Sequence, residues 1–231
     1  MASEFSRDVA DQTSAFWQHF YTTHALRHEP SPFARWCMQH HLTSGQRMLE
    51  LGCGNGRDTF AFAGHGLALL AIDGCEVAIR NNIAFERSRQ REGQSPRFQA
   101  LDVKQINTLP ALHPVWFDGE DRVNVVYSRF FLHAIPEVLE DQLLAFAGQY
   151  LPQNGLMLHE FRTTQDPLMQ LGEVLSPTER WTDHYRRFID TAAFCQKVKR
   201  LGWKEIHFEE RNGLARFGAE DPVVARVVLQ R

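Results

Sequence analysis

The sequence predicts an α/β protein built on a mostly parallel sheet with helices on both faces. Strand and helix patterns alternate from residue 47 to the end of the chain, an order that is typical of parallel strands joined by crossover helices. The first strand ends in a glycine-rich turn, and the second, 67–73, ends in an acidic residue. At 231 residues, the chain fits one such domain with modest additions.

Apolar runs bounded by turn and capping residues give the individual elements. The predicted strands are 47–53, 67–73, 97–103, 124–129, 156–162, 203–210 and 223–230. The predicted helices between them are 58–64, 76–91, 137–150 and 191–201. Two aromatic-rich segments, 14–21 and 31–38, predict short helices ahead of the first strand. We therefore expect an N-terminal helical cap or lid over residues 1–46 and a main domain over 47–231.

The turn after the first strand has the composition of a nucleotide-binding loop. Gly52, Gly54 and Gly56 lack a Cβ, so the backbone can turn tightly and lie against a ligand. Arg57 occupies the position where a dinucleotide fingerprint needs its third glycine, and the Gly-Lys-Ser/Thr of a P-loop is absent. A glycine turn without a ligand and an NAD-type site remain as alternatives.

The pattern Glu50-x-Gly52-x-Gly54-x-Gly56, followed by a second strand ending at Asp73, resembles the first motif of class I S-adenosylmethionine-dependent methyltransferases. The resemblance covers roughly residues 45 to 231. It implies a seven-stranded Rossmann-like sheet whose last strand is inserted antiparallel beside the sixth. It also implies S-adenosyl-L-methionine as the cofactor and S-adenosyl-L-homocysteine as the product.

The same resemblance implies a set of cofactor contacts. Glu50 would reach the amino group of the methionine half, and Asp73 would hold the ribose hydroxyls. Asp102 would lie near the adenine amine, Val103 against the ring, and Ser128 beside the sulfonium methyl. A capping or turn role is the alternative for Asp102. The remaining implied contacts are those of the loop itself: Gly52, Cys53, Gly54 and Gly56.

Cations and imidazoles are concentrated in three later segments, 127–133, 159–162 and 183–188. The arginine fork suits phosphate or carboxylate, and an anionic oxygen needs only orientation near the methyl group. We therefore expect a small-molecule or glycan-linked acceptor, methylated at an anionic oxygen. The predicted substrate-binding residues are Trp17, Tyr21, Arg129, Arg162, Tyr185, Arg186 and Arg187.

His133 and His184 are the predicted catalytic residues, because an ordinary imidazole pKa suits a base for a hydroxyl or amine acceptor. The segments 127–135, 160–163 and 184–190 also look similar to bacterial methyltransferases associated with surface-polysaccharide synthesis. Three alternatives stay open. The arginines form only structural ion pairs, the acceptor is a neutral nitrogen or sulfur compound, or the chain binds the cofactor without catalysis.

Composition restricts the partners. The net charge of −3 provides no basic field for nucleic acid, and no apolar run approaches the ~20 residues of a membrane span. The four scattered cysteines have no zinc-site spacing, so we expect no metal. Reduced cysteines and a polar start indicate a cytoplasmic protein. The sequence does not indicate an oligomeric state.

Overall fold

The computed structural model describes residues 7–23, 29–89 and 95–231. The strands in these ranges are β1 (Arg47–Leu51), β2 (Ala68–Asp73), β3 (Arg97–Ala100), β4 (Val125–Arg129), β5 (Leu156–Arg162), β6 (Glu173–Ser176), β7 (Glu179–Trp181), β8 (Tyr185–Arg187), β9 (Lys204–Arg211) and β10 (Val224–Gln230). The α-helices in the same ranges are α1 (Arg7–Thr23), α2 (Pro32–His40), α3 (Arg57–Gly64), α4 (Glu76–Ser88), α5 (Leu109–Leu112), α6 (Glu137–Tyr150) and α7 (Thr191–Arg200).

The central sheet has seven strands in the order β3-β2-β1-β4-β5-β10-β9. The strands from β3 to β5 are parallel, whereas β10 runs antiparallel to both β5 and β9. The predicted fold class is confirmed, including the antiparallel insertion of the last strand. Because the strand order reverses between β1 and β4, the carboxyl ends of these strands open the crevice in which such sheets bind ligands.

Alternating strand side chains form two cores, one on each face of the sheet. On one face, Leu49 belongs to a buried cluster with Phe146 of α6 and Phe194 of α7. On the other face, Met48 belongs to a cluster with Phe33 of α2. Burial of both faces explains why the strands have nearly continuous apolar sequences rather than alternating ones.

One buried carboxylate joins α2 to the sheet. Asp58, in the first turn of α3, accepts hydrogen bonds from the backbone N–H and the hydroxyl of Ser31, both at 2.7 Å. It also accepts one from the Tyr127 hydroxyl in β4 at 2.8 Å. Ser31 is the N-cap of α2 and Pro32 is its first helical residue. Helix α2 therefore packs against the sheet as part of the domain.

The structure also contains a small antiparallel sheet, β6-β7-β8, that was not predicted from the sequence. Its strands have only three or four residues, too few for a period-two pattern to stand out. The first and third strands end earlier than predicted, because Gly52 turns the backbone at a φ of 68° and Asp102 caps a short 3-10 helix. No helix in the described ranges is long and apolar enough to cross a membrane.

Candidate active site

The glycine loop is fixed to the end of β2 by backbone hydrogen bonds. The N–H groups of Gly52 and Cys53 both donate to the Ile72 carbonyl, at 2.9 and 3.0 Å. Gly52, Gly54 and Gly56 have φ values of 68°, 51° and 71°, a region that residues with a Cβ rarely adopt. Gly56 is also the N-cap of α3, so the amide end of this helix adjoins the loop.

Asp73, the last residue of β2, is held by two backbone N–H groups. Its Oδ2 accepts from Gly54 and its Oδ1 from Cys75, each at 2.8 Å. Burial raises the pKa of this carboxyl, and the two N–H donors act in the opposite direction. Each oxygen keeps a further lone pair. The carboxylate is therefore oriented in advance to accept hydrogen bonds from a diol.

Two aromatic side chains lie on the loop. A Cβ built on Gly52 would lie 2.4 Å from Cδ2 of Phe131, and one built on Gly54 would lie 2.4 Å from the hydroxyl oxygen of Tyr21. These distances are possible only because both positions lack a side chain. In this structure the two rings therefore occupy the space that side chains at Gly52 and Gly54 would take.

Two acidic residues predicted to contact the cofactor have other partners in the structure. Glu50 is buried and accepts a hydrogen bond from the Thr59 hydroxyl of α3 at 2.6 Å. Burial, with a smaller effect of Asp58, raises the pKa of Glu50 well above its usual range. Asp102 is exposed, and its side chain accepts from the Lys104 N–H at 2.9 Å, which is the capping role considered in the sequence analysis.

The last two predicted cofactor contacts are buried. Val103 belongs to the core cluster on the α6 face. Ser128, near the end of β4, has its Oγ 2.8 Å from Nδ1 of His159. Among the polar residues predicted to contact the cofactor, Asp73 is hydrogen-bonded directly to the loop. The side chains of Glu50, Asp102 and Ser128 instead bond to Thr59, Lys104 and His159.

Several of the predicted acceptor residues meet at His133. Burial is the main cause that lowers the pKa of His133 well below its usual value, and Arg162, Arg186, His184 and Arg187 lower it further. The Arg162 backbone N–H donates to His133 Nδ1 at 3.1 Å. The neutral ring therefore carries its proton on Nε2. In this state His133 presents a hydrogen-bond donor in a positive environment rather than a basic nitrogen.

All three of these arginines have carboxylate partners, and those of Arg162 and Arg186 include half-exposed ones. Arg162 donates to Asp166 at 2.8 Å and to Glu220 at 2.5 Å, and Arg186 donates to Asp183 at 2.6 Å. The Arg162–Asp166 pair is buried, whereas Glu220 is about half exposed at 51%. Glu220 is therefore the partner of Arg162 that a molecule from solvent can replace most easily.

Arg187 and Tyr185, both predicted to bind substrate, connect elements of the fold. Arg187 donates to Glu140 of α6 and to two backbone carbonyls in the segment 132–135. The Tyr185 hydroxyl donates to Glu179 in β7 at 2.5 Å. Both side chains are buried. Their contacts hold the β6-β7-β8 sheet together and dock it on α6 and on the segment that follows β4.

Helix α1 reaches from the glycine loop to the acceptor residues. At one end, Tyr21 lies on Gly54. One turn earlier, the Trp17 ring centroid lies 4.8 Å from that of His184, and Phe16 stacks on the same imidazole at 4.3 Å. Burial lowers the pKa of His184 to about 4, so this ring is neutral near pH 7. The predicted contacts Trp17 and Tyr21 thus lie on one helix that covers both regions.

Phe130 lies beside the predicted acceptor residues and packs against the buried cluster of Leu214, Ala215 and Val224. It follows β4 with a φ of 55°, and the guanidinium carbons of Arg129 and Arg162 lie 4.3 and 5.6 Å from its ring centroid. Arg129 shares the buried Glu160 carboxylate with Arg226, each at 2.9 Å. An aromatic residue in the left-handed region is strained, and such strain is frequent at functional sites. This conformation could not be predicted from the sequence, because glycine or asparagine is its usual marker.

Burial of His159 should make the stability depend on pH in a measurable way. Its pKa is lowered by burial to about 3, whereas the unfolded chain has the ordinary value near 6.5. Between these values the unfolded state binds more protons, so stability falls as the pH falls. Between about pH 7.5 and about pH 5.5, we expect His159→Gln to lose about 1.4 kcal/mol less unfolding free energy than the wild type. Urea denaturation of both proteins at the two pH values measures this difference, and equal losses would contradict the buried neutral state.

Comparison with known proteins identifies the family and the fold. A family model described as a methyltransferase domain matches residues 17–207. A SAM-dependent methyltransferase from Methanosarcina mazei has a TM-score of 0.68 at 13% identity, over 84% of this chain and 96% of that chain. One from Anabaena variabilis has a TM-score of 0.67 at 15% identity, over 98% and 96%. The 1,6-didemethyltoxoflavin-N1-methyltransferase of Burkholderia thailandensis has a TM-score of 0.65 at 16% identity, over 97% and 86%. No curated protein matches the sequence.

The seven-stranded sheet with a glycine loop after β1 defines the class I methyltransferase fold. The family match covers most of the chain, and the chain therefore belongs to the methyltransferase-domain family, as an S-adenosylmethionine-dependent enzyme. The residues present fit that cofactor. Without side chains, Gly52 and Gly54 allow other groups to approach the backbone closely, and each Asp73 oxygen keeps a lone pair that can accept a hydrogen bond from a ribose hydroxyl.

Proposed function

We propose that this methyltransferase transfers the methyl group to an anionic oxygen, a phosphate or a carboxylate, of a small-molecule or glycan-linked acceptor. The observation that carries the proposal is the meeting of Arg162, Arg186 and His184 around His133. An anion at this position would receive a hydrogen bond from His133 Nε2 and would be attracted by the arginines. Sugar-linked phosphates are included because three segments of the chain resemble polysaccharide-associated enzymes.

The protonation states agree with an anionic acceptor. An anionic oxygen is already nucleophilic and needs orientation rather than a base. A general base works best when its pKa lies near the working pH, and the pKa values of His133 and His184 lie well below it. The two histidines therefore act as neutral groups that orient the acceptor. Glu220 is the carboxylate that we propose the acceptor displaces from Arg162.

On the donor side, the loop 52–56 and Asp73 are the proposed holding residues for S-adenosyl-L-methionine, which supplies an electrophilic methyl group when bound. Asp73 would accept from the ribose hydroxyls in its present orientation, because Gly54 and Cys75 already fix both oxygens. Helix α1 is the proposed lid, since it carries Tyr21 over the loop and Trp17 over His184. One element would thus exclude water from both halves of the site.

A second candidate is methylation of a neutral nitrogen or sulfur. It is favoured by the carboxylate partners of Arg162 and Arg186, which cancel much of the positive charge. Neutral His184 would then accept the proton that such an acceptor releases. We rank this reading second because a base with a pKa of about 4 drives proton transfer weakly.

Transfer of a labelled methyl group to a panel of acceptors tests the proposal. The panel contains phosphorylated sugars, carboxylic acids, amines and thiols. The phosphorylated sugars and carboxylic acids are also offered as analogues that lack the anionic group. We expect label on phosphate- or carboxylate-bearing acceptors, lost when that group is removed. Label on amines or thiols alone would replace the anionic acceptor with the second candidate.

A further inference from the structure

Asn82 lies behind the glycine loop and has no part in the roles assigned so far. It belongs to α4 and its side chain is fully buried. Its Nδ2 donates a hydrogen bond to the Gly54 carbonyl at 2.8 Å. This hydrogen bond connects the middle of α4 to the glycine loop.

The contact completes a clamp on one residue. The Gly54 N–H donates to Asp73 at 2.8 Å and the Gly54 carbonyl accepts from Asn82 at 2.8 Å. Both polar backbone groups of this glycine are thus held by side chains from neighbouring elements, β2 and α4. With φ at 51°, Gly54 would otherwise have a wide choice of conformations.

Asn82 also retains a polar atom that the fold does not use. Its Oδ1 is buried and has no hydrogen-bond partner, and it lies 2.9 Å from the position that a Cβ on Gly56 would take. A leucine of the same shape would avoid this unsatisfied acceptor. The same leucine would leave the buried Gly54 carbonyl without its Asn82 partner, so its two effects on the stability of the fold oppose each other.

We infer that Asn82 is a positioning residue for the methyl donor, which sets the Gly54 peptide in its binding orientation before the donor arrives. A loop held in its bound conformation loses less entropy on binding, so its affinity is higher. The inference rests on the donor site and not on the proposed acceptor. Its test therefore gives an answer even if the acceptor proposal fails.

The test measures binding of S-adenosyl-L-homocysteine to the full chain by calorimetry, beside the unfolding free energy without ligand. For Asn82→Leu we expect an affinity about tenfold lower, the loss of one buried hydrogen bond, and a stability close to that of the wild type, because one unsatisfied acceptor is removed and another is created. Asn82→Ala should weaken binding to a similar extent. In turnover assays, the KM for the methyl donor should rise about as much, while kcat at saturating donor changes little.

Asn124→Ala is the matched control. Its Oδ1 accepts from the Arg47 N–H at 3.1 Å, at the amino-terminal end of the sheet and away from the loop. This variant should lose some stability and keep the wild-type affinity. The inference is overturned if Asn82→Leu and Asn82→Ala bind S-adenosyl-L-homocysteine as tightly as the wild type. It is equally overturned if Asn124→Ala, at a similar loss of stability, loses as much affinity as the Asn82 variants.

Discussion

Gly54→Ala is expected to reduce the affinity for S-adenosyl-L-homocysteine by about 100-fold, which corresponds to about 2.7 kcal/mol. Two effects add. An alanine at a φ of 51° is strained by about 1 kcal/mol, and its Cβ would project onto the face where Tyr21 now lies, 2.4 Å from the hydroxyl oxygen. Tyr21 can move, but a donor that packs on the loop would still be held away from the backbone. Calorimetry with the purified variant measures the loss.

Gly202→Ala separates strain from obstruction. Gly202 has a φ of 85°, and a Cβ there would meet no atom within 4 Å. It follows α7, at a distance along the chain from every predicted cofactor contact. We expect both variants to lose a similar amount of stability, but only Gly54→Ala to lose affinity. If Gly54→Ala binds S-adenosyl-L-homocysteine with wild-type affinity, the loop is not part of the donor-binding site.

Arg162→Gln is expected to lower kcat/KM for the acceptor by about 100-fold and to leave donor affinity within about twofold. The guanidinium is the group that would exchange Glu220 for the acceptor anion. The backbone N–H that fixes His133 remains in the variant, because it does not depend on the side chain. Steady-state kinetics with the best acceptor from the panel, beside calorimetry with S-adenosyl-L-homocysteine, distinguish the two effects.

A second variant shows whether the loss of kcat/KM is due only to destabilisation of the fold. Removing Arg162 leaves the buried Asp166 without its partner, a change that is often strongly destabilising. The double variant Arg162→Gln/Asp166→Asn removes both charges and should recover most of the stability, yet remain defective toward the acceptor. Arg216→Gln, which removes an exposed charge paired with Asp221 in the same region, should behave like the wild type. If the double variant turns over normally, Arg162 has no direct role.

Much of the fold could be predicted because its signals are local. The strands of a parallel sheet are apolar along their whole length, and the helices between them begin at recognisable caps such as Asp190 before α7. The position of the last strand is different, because the periodicity of 224–230 says nothing about its neighbours. That placement came from the resemblance to the family, and the pairing of β10 with β5 confirms it.

The site was predictable where chemistry requires a particular residue type at a fixed spacing. The glycine loop and Asp73 meet this condition, and the structure brings them together through a hydrogen bond. The arginines do not meet this condition, because the sequence does not distinguish an arginine in a structural ion pair from one that binds a substrate. Only the three-dimensional partners show that Arg187 bonds to Glu140, whereas Arg162 has a partner that is half exposed.

The hydrogen bonds that Asp58 accepts from α2 and β4 also determine how the molecule can come apart. Helix α2 cannot leave the sheet without abandoning a buried carboxylate and uncovering Phe33. In thermodynamic terms, α2 and the sheet therefore form one cooperative unit, and their unfolding is the global unfolding of the domain. Helix α1 is attached by weaker contacts, in which the Trp17 and Tyr21 carbonyls accept from the Cys75 thiol and the Asn81 amide. For the lid that we propose, opening of the site would therefore require less free energy than unfolding of the domain.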